Sequence, residues 1–470
     1  MMKNEKTSMI GKMMILEGLI LVVPVLIIPF YFQERKLIWM FLLPAFVSIA
    51  LGYLVCKCKR NPKKLNSNRF VVGAWMYGFI LGAIPFYLYG NLNFVQATFE
   101  SVSGFTTTGL SVLNVVKTPQ IFLFYRSFLQ YVGGLGFVMM MLVFIQSKHS
   151  VTLYEAEGHP DRLMPNIGKT AKVILEMYSF FLVIGSIAYV IAGMNIFDSV
   201  IHTMCALSTG GFSNRLTSIG YYNSVPIEVI TVILMIIGTT NFSLLLLLFR
   251  GKLKEFTRSS EMRFLVGLVG IFVPIIALFL ASSGSGVLYS IRQAFFNAFS
   301  ALSTTGYATS DYNTWPQVGI VLLILLMIIG GGIGSTAGGI KLGRICIVLK
   351  NLWRNIKLKV LPDRSVLLCH YNRGVENEVL SDDRVEEAST YAQTYLIIYV
   401  IGTILLSYFA GCSILKGAFE FASSLGTVGL SIGVTSIHTS SICLIIEIIG
   451  MILGRLEIFA IFKVFARRSS

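Results

Sequence analysis

The sequence has little charge. Only 13% of its 470 residues are Asp, Glu, Lys or Arg, whereas 55% are hydrophobic and the mean hydropathy is +0.74. Soluble proteins carry about 25% charged residues, and a water-soluble chain of this composition would expose too much apolar surface. The shortage of charge therefore excludes a soluble globular protein and predicts a chain that lies largely within a membrane.

Residues for redox, metal or acid–base chemistry are also scarce. The seven cysteines form no CxxC pair, and no HExxH or GxSxG pattern occurs. Of the five histidines, only His202 is placed in a predicted membrane segment. An intramembrane enzyme needs converging catalytic groups, so an enzyme is the less favoured hypothesis, as is a purely structural membrane scaffold.

Long apolar runs are abundant, and ten of them reach the roughly 20 residues that cross a bilayer. The first follows a basic leader, but it is too long for a signal peptide and no small-residue cleavage site ends it, so we expect a membrane helix. The predicted spans lie near 10–30, 37–56, 70–90, 120–146, 173–193, 226–249, 264–282, 317–340, 391–411 and 440–464.

The net charge of +15 is concentrated in loops between alternate spans, at 57–69, 250–263 and 350–364. Excess Lys and Arg mark the cytoplasmic side of a membrane protein. This asymmetry predicts that both termini are cytoplasmic. It also explains the positive charge better than nucleic-acid binding does, so no nucleic-acid partner is expected.

Four short segments repeat one pattern, Thr-x-Gly followed by a large apolar or aromatic residue. Their glycines are separated by 102, 95 and 123 residues. A ring of four such loops is what a potassium filter needs, because backbone carbonyls then replace the water shell of the ion and glycine permits the required backbone angles. We call them the filter segments: Thr107, Thr108, Gly109, Leu110; Thr209, Gly210, Gly211, Phe212; Thr304, Thr305, Gly306, Tyr307; and Thr427, Val428, Gly429, Leu430.

An apolar run too short to cross a bilayer precedes each filter segment, near 92–105, 197–207, 289–302 and 415–425. Half-crossing helices followed by extended backbone are tolerated only where they are buried in protein or line water. The predicted fold is an all-α membrane protein of four fused helix–pore loop–helix repeats around a pseudo-fourfold pore. The expected units are an N-terminal transmembrane hairpin at 1–68 and repeats at 69–150, 151–250, 251–385 and 386–470.

A polar residue stands seven positions before the threonine of each filter segment. These residues are Glu100, His202, Asn297 and Glu420. Ionisable groups at membrane depth are candidates for function. Two readings stay open: the carboxylates attract cations, or the four side chains hydrogen-bond filter amides and only hold the shape of the filter.

Residues 330–341 form a glycine-rich segment, which we call the glycine loop; six of the residues 330–339 are glycine. Glycine disfavours helix, so the helix is expected to break here, within the third repeat and beneath the filter, where a mobile loop would obstruct the pore. Close helix packing and a weak GxGxxA match are the alternatives. Lys341 is expected to extend to the cytoplasmic surface. The candidate gate glycines are Gly330, Gly331, Gly332, Gly334, Gly338 and Gly339.

Arg455 lies well inside the last predicted span. A buried arginine is costly unless it is paired or faces water, and its five donors suit the free carbonyls of an unwound loop. We therefore expect Arg455 to face the pore beside the glycine loop. A structural pair with Glu457 or Glu447 is the alternative, although Glu457 points elsewhere on a helix.

These features together resemble the Trk/Ktr/HKT superfamily of potassium transporters, and most of all its TrkH-like bacterial branch. The resemblance covers the whole chain. It rests on the four filter segments, the glycine loop, a Tyr125–Gly136 stretch that includes Arg126, Gln130, Gly133 and Gly134, and the Gly454–Glu457 stretch around Arg455.

The resemblance implies a homodimer with one potassium pore in each protomer and a cytoplasmic, TrkA-like nucleotide-binding regulator. It also implies that the glycine loop and Arg455 form an intramembrane gate, and that Gly109 favours potassium over sodium. The transported K⁺ and membrane lipid are the expected ligands, and no organic cofactor is expected. Gly210 departs from the pattern of the other filters, and such an extra glycine would loosen the ring.

The sequence thus predicts potassium uptake through one carbonyl-lined filter. The alternative is a coupled K⁺/Na⁺ or K⁺/H⁺ symporter on the same scaffold, which uphill flux driven by a second ion would distinguish.

Overall fold

The computed structural model describes residues 8–58, 67–136, 167–362, 367–374 and 377–465. The predicted loops 57–69 and 147–172 and the repeat boundary at 150–151 lie wholly or partly outside them. The helices through the second filter segment are α1 Met9–Val22, α2 Trp39–Cys58, α3 Ser67–Leu88, α4 Phe94–Phe105, α5 Gln120–Leu135, α6 Ile167–Ile191 and α7 Ile196–Leu207. Then follow α8 Val225–Thr239, α9 Phe242–Phe249, α10 Leu253–Arg258, α11 Ser260–Ser282, α12 Val287–Leu302, α13 Gln317–Ile329, α14 Leu342–Val360, α15 Asp382–Ala410, α16 Ile414–Leu425, α17 Ser441–Arg455 and α18 Ile458–Phe465. Short 3₁₀ turns lie at Val23–Ile27, Phe32–Leu37, Ser218–Tyr222 and Tyr312–Thr314, and strands β1 His370–Asn372 and β2 Asn377–Val379 pair antiparallel.

Six helices in the described ranges are long and apolar enough to cross a bilayer, and a seventh span is added if the bent pair α8–α9 counts as one. The six lie at Met9–Ile27, Trp39–Lys57, Ser67–Leu88, Lys169–Ile191, Ser260–Ser282 and Asp382–Ala410. They match six of the ten predicted spans, and they confirm a multi-pass, mainly helical membrane protein.

The other four predicted spans are wrong as continuous helices, or cannot be followed to their ends. The predicted span 226–249 bends by 114° between α8 and α9, and 317–340 stops at the end of α13. The span 440–464 is interrupted between α17 and α18. In the span 120–146, α5 ends at Leu135, and the remainder after Gly136 lies outside the described residues.

These interruptions have a common physical cause in three of the four helices. A glycine near the end of each of these helices lies against the last carbonyl of the short helix that precedes a filter segment (α4, α7 or α16). A β-carbon on Gly238 would stand 2.6 Å from the Leu207 oxygen, and β-carbons on Gly133 and Gly454 would overlap the oxygens of Phe105 and Leu425. Backbone approaches this close need glycine, and glycine in turn weakens the helix there.

Four helices of 12 to 16 residues, α4, α7, α12 and α16, lie at the four apolar runs predicted to be too short to cross a bilayer, and we call them the half-length helices. Three of them begin at a capping side chain: Asn93, Asn195 and Ser413 each accept a backbone N–H of the first turn. Each helix leads directly into a filter segment. Their C-terminal ends, which carry partial negative charge, therefore all adjoin the four repeated loops.

The N-terminal hairpin is joined by glycine contacts between α1 and α2. A β-carbon on Gly52 would stand 2.7 Å from the Gly11 oxygen, and one on Gly11 would stand 2.5 Å from the Gly52 oxygen. Small residues permit this approach, which is how helices associate when lipid surrounds them. The hairpin packs against α3, and so borders the remainder of the molecule.

Replacing Gly52 with alanine should therefore weaken the hairpin, because the new β-carbon meets backbone atoms that have no room to move. We expect G52A to lower the free energy of unfolding by about 1–3 kcal/mol, measured by thermal unfolding in detergent. The matched control is G267A in α11, where a β-carbon meets nothing within 4 Å. Equal melting temperatures for G52A and the control would contradict the close packing.

Candidate functional site

The four filter segments meet and form a closed ring. A β-carbon on each filter glycine would overlap the carbonyl oxygen that precedes the glycine of the next segment. Gly109 faces Gly210, Gly211 faces Thr305, Gly306 faces Val428, and Gly429 returns to Thr108. Segments separated by about a hundred residues in sequence are thus in van der Waals contact, in chain order, around one centre.

The backbone of each filter segment has the same unusual conformation. The threonines have φ near +50°, at 56° for Thr107, 51° for Thr209, 55° for Thr304 and 49° for Thr427. The filter glycines follow with φ of 94°, 70°, 80° and 97°. Left-handed conformations are costly for a β-branched residue. Because the same costly conformation occurs at all four threonines, it is a shared structural property of the filter segments.

The N–H groups of the segments point back to the half-length helices. The residues after the four threonines donate to the carbonyl oxygens of Ser103, Cys205, Ser300 and Ser423, at 2.9, 2.8, 3.0 and 2.8 Å. In a trans peptide the C=O lies opposite to the N–H of the same unit. The carbonyls of Thr107, Thr209, Thr304 and Thr427 consequently point away from the half-length helices.

The two glutamates at the predicted support positions are buried and hold the backbone that follows the filter. Glu100 accepts the hydroxyl of Ser111 at 2.6 Å and the N–H of Val112 at 2.6 Å. Glu420 accepts the hydroxyl of Ser431 at 2.6 Å and the N–H of Ile432 at 3.0 Å. This geometry fits the shape-holding reading, since the carboxylate oxygens bind groups of the protein.

The other two support residues make the equivalent contacts without a charge. The Nε2 atom of His202 lies 3.0 Å from the Ser213 hydroxyl. The Asn297 amide donates to the Thr309 hydroxyl at 3.0 Å and accepts the Tyr312 hydroxyl at 2.7 Å. All four support side chains are fully buried. Carboxylate, imidazole and amide groups thus make hydrogen bonds at the four corresponding positions.

The glycine loop interrupts the chain between α13 and α14, as expected, and lies directly against the filter threonines. Thr336 Oγ1 is 3.1 Å from Thr209 Oγ1, and the N–H of Gly338 donates to Thr304 Oγ1 at 2.8 Å. A β-carbon on Gly338 would overlap Thr427 Oγ1. The loop is therefore packed beneath the second, third and fourth filter segments.

Arg455 lies at the end of α17 and joins the glycine loop to the first repeat. Its guanidinium donates to the Thr336 carbonyl at 2.9 Å and to the Gly134 carbonyl at 3.3 Å, and it also donates to the Gly133 carbonyl. The predicted contact with loop carbonyls is present. Of the two alternative partners, Glu457 pairs with Arg344 at 2.8 Å and Glu447 accepts from Thr435 at 2.8 Å.

The expectation for Lys341 is wrong. Its ammonium donates to the Ala337 carbonyl within the glycine loop, and the residue is largely buried. The backbone explains the difference, because Lys341 has φ of 87° and precedes the first turn of α14, which turns the side chain back over the loop. Lys341 thus joins Arg455 as a second cation beside the loop.

The segment between α14 and α15, which carries strands β1 and β2, also reaches the glycine loop. Tyr371 on β1 donates to Glu261 at 3.0 Å, and a β-carbon on Gly332 would stand 3.1 Å from the other oxygen of Glu261. Burial and the Glu261 charge raise the pKa of Tyr371, so its hydroxyl keeps the proton that it donates. The β-hairpin is thereby connected to the glycine loop through one carboxylate.

Sequence reasoning missed the roles of Arg126 and Gln130 on α5. Arg126 lies 3.8 Å from Glu100 and places its guanidinium 3.8 Å over the ring of Phe212. Gln130 bonds to the second filter segment, with its amide 2.6 Å from the Gly210 oxygen. Polar residues inside a predicted span were the available signal, but the sequence alone did not show which segment they contact.

A neutral substitution separates the two readings of the support carboxylates. E420Q replaces one acceptor oxygen with a donor that faces backbone N–H groups, so we expect the free energy of unfolding to fall by about 1–3 kcal/mol. The control is E176Q, which changes an exposed residue in an i,i+4 pair with Lys172. Weakened cation binding with unchanged thermal stability would favour the cation-attracting reading instead.

Comparison with known proteins agrees with the geometry. Together, the membrane helices and the ring of filter loops define a membrane transport protein. The family model described as TrkH, a cation transport protein, matches residues 75–469. The chain therefore belongs to the TrkH family of cation transport proteins.

Similar proteins cover nearly the whole chain. An uncharacterized cation transporter of Methanocaldococcus jannaschii is 29% identical over 98% of this chain and 96% of its own length. The Trk system potassium uptake protein TrkH of Escherichia coli is 31% identical over 89% of this chain and 90% of its own length. The crystal structure of the potassium transporter TrkH from Vibrio parahaemolyticus superposes with a TM-score of 0.86 at 26% identity, covering 99% of both chains. These relatives are transporters, not enzymes.

Proposed function

We propose that this chain takes up K⁺ across a bacterial inner membrane through a single filter formed by its four filter segments. The observation that carries the proposal is the closed ring of backbone contacts through Gly109, Gly211, Gly306 and Gly429. A filter of this type replaces the hydration shell of the ion with carbonyl oxygens. The membrane potential supplies about 2.3 kcal/mol per charge per 100 mV to drive uptake.

The conformation of the segments supports this assignment. The threonine carbonyls face away from the half-length helices because the adjoining N–H groups are bonded there. Left-handed φ at alternate residues, such as Thr107 and Gly109, lets successive carbonyls share one direction. In this proposal the four repeats, with the boundaries expected from the sequence, surround one pore with pseudo-fourfold symmetry, and the hairpin at 1–68 lies outside it.

The glycine loop and Arg455 form the gate in this proposal. The loop lies under the second, third and fourth filter segments, and Arg455 bonds both to the loop and, through Gly134, to the first repeat. A guanidinium on the ion path repels a permeating cation and must move, with the loop, for conduction. The tight contacts of Thr336 and Gly338 describe the closed position.

The remaining parts of the proposal concern assembly and topology. Both termini are cytoplasmic, the functional unit is a homodimer in lipid with a pore in each protomer, and a TrkA-like nucleotide-binding regulator docks on the cytoplasmic loops at 57–69, 147–172, 250–263 and 350–390. The basic charge of these loops supports that topology. The contact from Tyr371 through Glu261 to Gly332 gives a docked regulator a route to the gate. The names of the relatives do not favour the symporter alternative.

The function is tested by expressing the chain, with a regulator supplied, in a bacterial strain that lacks potassium uptake. We expect growth at low K⁺ and K⁺ flux in liposomes that contain the purified protein. Absence of both, with correctly folded protein in the membrane, would overturn the proposal.

Selectivity should depend on Gly109. A side chain at this position meets the Gly210 carbonyl and a φ of 94° that glycine alone adopts easily. We expect G109S to lower the K⁺/Na⁺ permeability ratio, measured from reversal potentials with the two ions on opposite sides. The control is G73A on α3, where a β-carbon meets nothing within 4 Å. An unchanged ratio for G109S would show that residue 109 does not line the filter.

Removing the charge of Arg455 should raise K⁺ flux. In R455Q the cationic barrier is gone and the contact to the Thr336 carbonyl is weakened, so the closed loop is less favoured. The control is R250Q, which changes an exposed arginine. Flux is measured per folded protein in liposomes, and loss of conduction in folded R455Q would contradict the barrier role.

A further inference from the structure

The second filter segment is held differently from the other three. In the first segment, the hydroxyl of Ser103 accepts the N–H of Gly109 at 3.1 Å and donates to the Leu110 oxygen at 2.6 Å. In the third, Ser300 donates to the Tyr307 oxygen at 2.6 Å, and in the fourth, Ser423 accepts the N–H of Gly429 at 2.9 Å. A serine of the preceding half-length helix thus braces each of these three segments from within its own repeat.

The equivalent residue of the second repeat is Cys205. Its backbone oxygen accepts the N–H of Gly210 at 2.8 Å, the same bond that the three serines make. Its side chain, however, is a thiol, which is a weak hydrogen-bonding group. The second segment therefore lacks the serine hydroxyl that braces the others.

Gln130 of the neighbouring repeat holds the second segment instead, through different backbone atoms from those that the serines hold. Its amide nitrogen donates to the Gly210 carbonyl at 2.6 Å, and its amide oxygen accepts the N–H of Phe212 at 3.0 Å. One planar side chain is therefore bonded to both sides of Gly211. Gln130 is fully buried, so water does not compete for these two bonds.

The sequence carries the complementary changes. Gln130 stands three residues before Gly133, and Met235, Met327 and Met451 stand three residues before Gly238, Gly330 and Gly454. All three methionines are fully buried. The position before the filter glycine is Thr108, Thr305 or Val428 in those three repeats, but it is Gly210 in the second.

Gly210 is necessary for the Gln130 contact. A β-carbon on residue 210 would overlap the Cδ atom of Gln130 and stand 2.5 Å from its amide oxygen. The sequence led us to expect that the extra glycine would loosen the ring. Instead, the glutamine amide fills the space beside Gly210 and bonds to the backbone on either side of Gly211. Three departures from the repeat pattern, at residues 130, 205 and 210, belong to one local arrangement.

We infer that Gln130 is a positioning residue for ion selection, which holds the second filter segment in register with the other three. The inference rests on the proposed function and goes beyond it by naming what sets the geometry of one quarter of the ring. The Gly210 carbonyl is one of the four that contact a neighbouring filter glycine, so its direction affects the whole ring. Because the brace comes from α5, movement of that helix is transmitted directly to the filter.

The decisive variant is Q130M, which installs the residue that the other three repeats use and keeps the volume nearly constant. It removes two hydrogen bonds, to the Gly210 carbonyl and the Phe212 N–H on either side of Gly211, so we expect the K⁺/Na⁺ permeability ratio to fall roughly five- to tenfold. The ratio is measured in planar bilayers by reversal potential. The control is M451L, which alters the equivalent buried position of the fourth repeat without removing a hydrogen bond, and it should keep the wild-type ratio.

A double variant tests whether the two positions act together. G210T alone should also lower the ratio, because the new side chain displaces the Gln130 amide. Q130M/G210T installs the methionine of the other three repeats and the threonine that precedes the filter glycine in two of them, and it should recover at least half of the loss on a logarithmic scale. A purely structural role would change thermal stability but not the permeability ratio, so the melting temperature of each variant is measured in parallel.

The outcomes are distinguishable. No K⁺ conduction by the wild-type chain contradicts the proposed function itself. Wild-type conduction with an unchanged ratio in folded Q130M overturns the inference alone, as does an additive loss in the double variant. If Q130M does not fold, Q130N decides, because its shorter amide cannot reach both bonds: a reduced ratio supports the role of Gln130 and an unchanged ratio overturns it.

Discussion

The arrangement of the four filter segments depends on the close approach of their backbones to one another. Four loops pass so close to one another that each filter glycine lies against the carbonyl group of the next loop. A side chain at any of these glycines would separate the loops, and the threonine two residues earlier must adopt a left-handed conformation in each. Such strain persists only where the surroundings determine it fully. The half-length helices, the support residues and the glycines of the following helices supply those surroundings.

The braces around the ring show that equivalent geometry does not require equivalent residues. Two glutamates, a histidine and an asparagine hold the backbone after the filter at one level. Closer to the ring, three serines and one glutamine hold the filter itself. Different residues at corresponding positions therefore make the surroundings of the four segments unequal, while each segment is still held by a neighbouring side chain. Because one chain supplies all four segments, the residues that hold one segment can differ from those that hold the others, provided that the contacting residues of the neighbouring segment differ accordingly.

The same centre joins the filter to the elements beneath it. The glycine loop contacts three filter threonines, Arg455 bonds to both the loop and the first repeat, and Glu261 lies between the loop and a β-hairpin. A displacement of the loop therefore changes bonds on the filter and at the surface together. Because packed contacts of this kind have few alternative arrangements, they suit a switch between discrete positions.

The sequence by itself determined the membrane class, the half-length helices, the four repeated loops and the break at the glycine loop. Each of these follows from local chemistry: apolar length, a repeated Thr-x-Gly pattern, or consecutive glycines. The sequence failed for Lys341 and for the breaks in the helices that follow the second, third and fourth filter segments. Two of those breaks, near Gly238 and Gly454, accompany glycine contacts between separate parts of the chain. Only the tertiary structure decided that Gln130 reaches Gly210, 80 residues away, and that Arg455 reaches Thr336, 119 residues away. The reason is physical: a polar residue in an apolar run reveals that it has a partner, but the partner is fixed by helix packing and side-chain direction, which no local pattern records.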